Sequence, residues 1–138
     1  MNLNILEACA ILAVLANETG SAKIRDLFQK TVDRKAALIM NKLNFLEVHY
    51  KIYGAYYGQT ATDNLIDIME QMLITIKDSL TNEVFKEAGM LKSKYRLSIA
   101  DSVDVAESVI NSGSLVTADH HEIEPIETAE KINITWFR

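Results

Sequence analysis

The sequence predicts an α/β domain built on a mainly parallel sheet, and three observations carry that prediction. Short, largely apolar runs of strand type recur along the chain, as strands covered on both faces require. Segments of helical periodicity separate them, the pattern of parallel strands joined by crossover helices. The 138 residues are 49% hydrophobic and 24% charged with one proline and five glycines. That composition supports one compact core from residue 1 to residue 138 and excludes disordered and collagen-like classes.

Asn2–Leu6 is the first strand-like run, and Glu7–Leu15 carries an apolar helical pattern that closes near Asn17–Gly20. Ser21 is placed to cap a second helix, with Ile24, Leu27 and Phe28 at i, i+3, i+4 spacing. Ala36–Met40 is a small strand or a helix start. A long helix follows over Asn41–Tyr57, with Leu43, Leu46, Tyr50, Tyr53 and Tyr57 along one side as core or as a dimer surface. Thr62–Leu73 is amphipathic, with Ile66, Met69 and Leu73 as its stripe. Leu73–Lys77 alternates and is rich in β-branched residues, hence a strand. Asn82–Tyr95 and Ser98–Asn111 are helical, the second stopped by Gly113. Leu115–Thr117 and Ile132–Trp136 are the last two strands.

Composition also narrows function. A lone cysteine, Cys9, excludes an internal disulfide and makes a reducing cytoplasm the expected location. The longest apolar run, Ala8–Ala16, is about half the length of a membrane span and lacks a cationic start, so no membrane or targeting segment is expected. A net charge of −5 argues against binding nucleic acid through a basic surface alone. The basic groups Lys92, Lys94, Arg96 and Lys23, Arg25, Lys30 are read as solvated helix faces.

In open parallel sheets ligands sit beyond the carboxyl ends of the strands. Glu7 directly follows the first strand, and Asp119 follows the Leu115–Thr117 strand after one residue. Asp101 stands in the first turn of its helix, and Glu47 is embedded among apolar residues in NFLEVHY. Each has a plainer reading. Ser98–Ile99–Ala100–Asp101 resembles a capping box, Glu47 can pair with Lys51, Asp119 can be a turn residue, and Glu7 can serve a helix N-terminus. Together they are more demanding. Two unit charges about 4 Å apart repel by about 4 kcal/mol at an effective dielectric near 20. Protons or a cation must compensate. All-oxygen carboxylate sites suit Mg²⁺ or Mn²⁺, and the matching chemistry is hydrolysis of a phosphodiester by metal-activated water.

At these residues the chain resembles the PIN-domain family, and within it the VapC-type toxin ribonucleases. The amino end NILEACAILAVL matches the opening strand, acid and helix. NKLNFLEV at 41–48 resembles a second block with Asn44 three residues before Glu47. LKSKYRLSIADSVDVA carries Asp101, GSLVTADHHEIEPI carries Thr117 and Asp119, and INITWFR resembles the last strand. The resemblance implies a three-layer α/β/α domain with a mainly parallel central sheet. It implies a Mg²⁺- or Mn²⁺-dependent endoribonuclease whose metal is held by Glu7, Glu47, Asp101 and Asp119, with Thr117 orienting the site. It also implies RNA as substrate, a homodimer and a cognate VapB-type antitoxin partner. One departure stands out: the family's first acid is usually aspartate, and here it is Glu7. The extra methylene displaces the carboxylate by roughly 1 Å along a flexible χ angle.

Asp104, one turn beyond Asp101 on the same face, is read as solvent-facing in preference to supporting an ion through water. His120 and His121 are assigned to a polar loop, and Cys9 to the core. Two other functions remain open: a PIN-like binding module weakened by Glu7, and a phospho-acceptor receiver-like domain. The receiver reading needs an acidic pair after the first strand and a nucleophilic aspartate after a central one. The chain offers only Glu7 and Asp78 for these.

Overall fold

A computed structural model describes residues 1–54 and 58–138. The chain runs β1 (Asn2–Leu6), α1 (Ala8–Leu15), α2 (Ser21–Val32), β2 (Ala36–Asn41), α3 (Lys42–Ile52), α4 (Gly58–Gln71) and β3 (Ile74–Lys77). It continues through α5 (Asn82–Lys94), α6 (Ile99–Ile110), β4 (Ser114–Thr117), α7 (His120–Ala129) and β5 (Asn133–Trp136). The five strands form one sheet in the order β3-β2-β1-β4-β5, and every pairing is parallel.

Strand periodicity sorts the core into two layers. Leu6, Leu38, Met40 and Val116 pack against Ala10, Ile24, Val48, Leu65 and Met69, from α1 to α4. The alternate residues Ile5, Ile39 and Leu115 pack against Val84, Leu91, Val103, Ala106, Ile123 and Ile126, from α5 to α7. Helices therefore cover both faces, giving the expected three layers.

Register then positions the site. Ile5 is level with Ile39, and Leu6 is level with Val116. Carried to the strand ends, this alignment puts Glu7 beside Asn41 on one flank and Thr117 on the other. The chain leaves β1 toward β2 in one direction and β4 lies in the other, so these three residues stand at the topological switch point.

Several expectations give way. The second helix is entered through Gly20 at φ +89°, and Ser21 is its first helical residue. Leu43, Leu46 and Tyr50 of α3 and Tyr53 just beyond it are exposed, and the buried positions of that helix are Asn44 and Val48. Tyr57 lies outside the described residues. In α4 the buried stripe is Leu65 and Met69, whereas Ile66 is exposed and Leu73, beyond the helix end at Gln71, is exposed in the left-handed region at φ +58°. Residues 120–129 form a helix despite Pro125, because Asp119 caps it and Ile123 and Ile126 are fully buried.

Gly20 also makes a close approach: a Cβ there would lie 2.1 Å from the carbonyl oxygen of Phe137. Both left-handed strain and this clash oppose a side chain. Gly20→Ala is expected to lower stability by about 2 kcal/mol, read as a fall in Tm of roughly 6 °C. An unchanged Tm would mean that the C-terminal segment is not docked as described.

Candidate metal centre

Glu7 occupies the N-cap position of α1, yet its side chain caps nothing there. It turns to the sheet edge, is 4% exposed, and its Oε2 accepts a hydrogen bond from the Thr117 hydroxyl at 2.5 Å. Thr117 Oγ1 in turn accepts the Asp119 backbone N–H at 3.0 Å. One buried hydroxyl thus ties the acid after β1 to the loop after β4. Asp119 Oδ1 accepts the Glu122 N–H at 3.1 Å and so caps α7.

Asp101 combines its two sequence readings. Its backbone N–H is capped by Ser98 Oγ at 3.0 Å, and this leaves its carboxylate free to face the strand ends. Two groups of acids result, with ligand oxygens within 4.8 Å of one another: Glu7, Asp101 and Asp104, and Asp101, Asp119 and Glu122. Asp101 belongs to both.

Asp104 is fully buried, which corrects the solvent-facing reading. Its Oδ1 accepts Asn41 Nδ2 at 2.6 Å, and its Oδ2 accepts Asn44 Nδ2. Glu122 is the second acid that sequence reasoning passed over, because the helix holding it was not expected. Glu47 belongs to neither group: its Oε1 is 2.7 Å from Lys51 Nζ, the plainer pairing foreseen from the sequence. It does line the adjoining open pocket of about 400 Å³, together with Leu43, Leu46 and Tyr50 from α3 and with Asp101, Asp119 and Glu122. His120 opens α7, stacks on Trp136 with ring centroids 4.0 Å apart, and bonds the Arg138 carbonyl oxygen at 2.7 Å. It is tied to the C-terminal strand instead of standing free in a loop.

The electrostatics follow from this crowding. Burial pushes the Glu7 carboxyl up to about 7, against the opposing hydrogen bonds from Thr117 and Cys9. Burial, then the charge of Glu7 and the nearby Glu122, push Asp101 up to about 8. Asp104 is raised well above the ordinary range by burial and by Glu7 and Asp101, with Asn44 and Asn41 pulling the other way. Among the described residues no lysine, arginine or histidine forms an ion pair with Glu7, Asp101, Asp104, Asp119 or Glu122.

A hard divalent cation fits this donor set. Glu7 Oε1 is buried without a hydrogen-bond partner, and buried polar atoms are ordinarily satisfied. The surrounding donors are carboxylate oxygens, as Mg²⁺ and Mn²⁺ prefer. Cys9 Sγ is 3.6 Å from Glu7 Oε2; burial pushes that thiol up to about 12, and a thiol suits a hard cation poorly.

Comparison with known proteins agrees with the architecture. The sequence model of the PIN domain matches residues 5–125. No curated protein matches the chain by sequence. Among solved structures, the chain is similar to one in the VapBC2 complex of Rickettsia felis bound to a promoter DNA fragment, with TM-score 0.72 and 9% identity over 97% of this chain and 98% of that one. It is similar to a chain of VapBC-1 from nontypeable Haemophilus influenzae, with TM-score 0.69 and 11% identity over 98% of each. A chain of DNA-bound VapBC from Salmonella typhimurium matches with TM-score 0.66 and 11% identity over 100% of each. At such identities the likeness is one of fold. Among the described residues no helix is long and apolar enough to cross a membrane. A parallel sheet with acids gathered at its carboxyl edge, and a family match that starts in β1 and ends in α7, make this chain a member of the PIN domain family.

Proposed function

We propose that the protein is a Mg²⁺- or Mn²⁺-dependent endoribonuclease and the toxin half of a toxin–antitoxin pair. The observation that carries the reading is the orphaned, buried oxygen of Glu7 within a cluster of acids that, among the described residues, have no ion-pair partner. Glu7, Asp101 and Asp119 would hold the ion. A divalent ion there supplies a Lewis acid that activates water and offsets charge on a phosphate.

The chain's own residues prepare that chemistry. Thr117 fixes Glu7 Oε2 and leaves Oε1 uncommitted, while its oxygen anchors the loop carrying Asp119. Ser98 and Asp119 cap α6 and α7, which sets the side chains of Asp101 and Glu122 in place before a substrate arrives. Leu43, Leu46 and the exposed Tyr50 give the pocket an apolar and aromatic side on which an unpaired base can stack. Glu47 lines the same pocket while its Oε1 pairs with Lys51. A cytoplasmic homodimer held in check by a VapB-type antitoxin completes the reading. The antitoxin partner is the part of this reading supported by the fold shared with chains of VapBC complexes.

Incubation of the purified protein with RNA tests the proposal. Cleavage is expected with Mg²⁺ or Mn²⁺ and is expected to stop when EDTA is added. Cleavage that continues in EDTA would sink it. The presence of Glu7 where the family usually has aspartate favours a second reading, a binding module with weakened catalysis. Metal binding without any cleavage would select that one.

A further inference from the structure

The metal site proposed above gains an unexpected member from the second turn of α6. We propose that Asp104, held by Asn41 and Asn44, is the innermost ligand of the divalent cation, and that Glu47 is not a ligand. This inference rests on the metal-dependent reading and adds to it a residue from outside the resemblance.

Asp104 is 0% exposed and lies on the same helix face as Asp101, three residues away. Its carboxylate, that of Asp101 and that of Glu7 each offer an oxygen within 4.8 Å of the others. A cluster of acids alone proves nothing, but Glu7 adds an independent sign. It is 4% exposed, it belongs to this group, and its Oε1 has no hydrogen-bond partner.

The two asparagines show in which form Asp104 is held. Asn44 Oδ1 accepts the Ala8 N–H at 3.1 Å, so its amide group must present Nδ2 to Asp104. Asn41 Oδ1 accepts the Asn44 N–H at 2.8 Å, which turns its Nδ2 to Asp104 and to the Ala100 carbonyl. Both neighbours therefore donate, and neither has an oxygen free to receive a proton from Asp104. The network asks for a carboxylate, while two further acids beside it make an uncompensated carboxylate costly. A cation between Asp104, Asp101 and Glu7 meets both demands. Each carboxylate oxygen keeps a second lone pair after accepting one amide N–H, so ligation remains open to Asp104. Hydrogen bonds behind a ligating carboxylate are also what fixes its direction. Glu47 has the opposite character, since its charge is already matched by Lys51 at 2.7 Å and a third of its side chain is exposed.

Mn²⁺ titration of the full chain, followed by electron paramagnetic resonance, separates these roles. Asp104→Asn is expected to weaken Mn²⁺ at least tenfold, as Asp101→Asn does, while Glu47→Gln stays within twofold of the parent. If Asp101→Asn weakens binding and Asp104→Asn does not, Asp104 is a structural residue and this inference is wrong. If neither substitution weakens binding, the metal-dependent function itself fails. Anomalous diffraction from parent crystals grown with MnCl₂ gives a check that no folding defect can spoil. An ion about 2.0–2.3 Å from an Asp104 oxygen supports the assignment. An ion bound to Glu47 and away from Asp104 overturns it.

Discussion

Asp101→Asn is expected to lower RNA cleavage by about a thousandfold and, at pH 8 without metal, to raise the melting temperature. The two effects have one cause. Asp101 is the acid shared by both carboxylate groups, so its charge is the one that a bound cation and a phosphate would lose most by. A thousandfold loss corresponds to about 4 kcal/mol of transition-state stabilisation. The substitution is nearly isosteric, and the helix cap survives because Ser98 bonds the backbone N–H of residue 101. Without metal the same charge is a burden, since it is half-buried beside Glu7 and Glu122. Removing it is expected to add roughly 1–2 kcal/mol, or several degrees in Tm. Saturating Mn²⁺ reverses the order. At a hundred times its dissociation constant a ligand of the native state adds about 2.7 kcal/mol, and the parent alone would collect that in full. Thermal melts of both proteins, with and without Mn²⁺, check the crossing. A variant less stable than the parent under metal-free conditions would show that Asp101 holds the fold together instead of straining it.

Much of this architecture is legible because it follows from local rules. Four of the five strands are legible as apolar runs, the other, Ala36–Asn41, stays open between strand and helix start, and the intervening helices account for the parallel pairing. Glu7 and Asp119 could be placed at the carboxyl edge of the sheet because they follow strands at once or after a single residue. What escapes is whatever depends on partners far away in the chain. Asp104 is separated by 63 residues from Asn41 and by 60 from Asn44, and without those amides a fully buried acid is improbable. Asn44 and Glu47 lie three residues apart in the same apolar stretch, and the sequence favours the charged one as the ligand. In the fold the neutral amide is buried and hydrogen-bonded to Asp104 and Ala8, whereas Glu47 pairs with Lys51 at the rim of the pocket. The helix α7 escapes for a different reason, because Pro125 breaks its local propensity and only burial of Ile123 and Ile126 restores it.

The metal-free protein is expected to lose stability steadily as the pH rises from 5 to 8. In the folded chain the carboxyl of Glu7 titrates at about 7 and that of Asp101 at about 8, both raised first by burial. In the unfolded chain both release their protons near pH 4. Between those limits the folded state binds more protons than the unfolded state, so stability must fall with pH. Each group contributes a slope of about 1.4 kcal/mol per pH unit within its window. For the buried Glu7 alone the loss is on the order of 3 kcal/mol, or roughly 10 °C in Tm. The depressed carboxyl of Glu130, paired with Tyr95 and Lys94, acts with the opposite sign. It is a solvent-screened pair whose effect lies at the acid end, below this window. Divalent cations should flatten the profile, because they compete with protons for the same oxygens and bind more tightly as the pH rises. The largest stabilisation by Mn²⁺ is therefore expected at pH 8 and the smallest at pH 5. Melting curves across this range in EDTA and in Mn²⁺ measure both slopes. A metal-free Tm that stays level or climbs between pH 5 and 8 would mean that these acids are not crowded together in the folded chain, and the cation would then have no charge to neutralise.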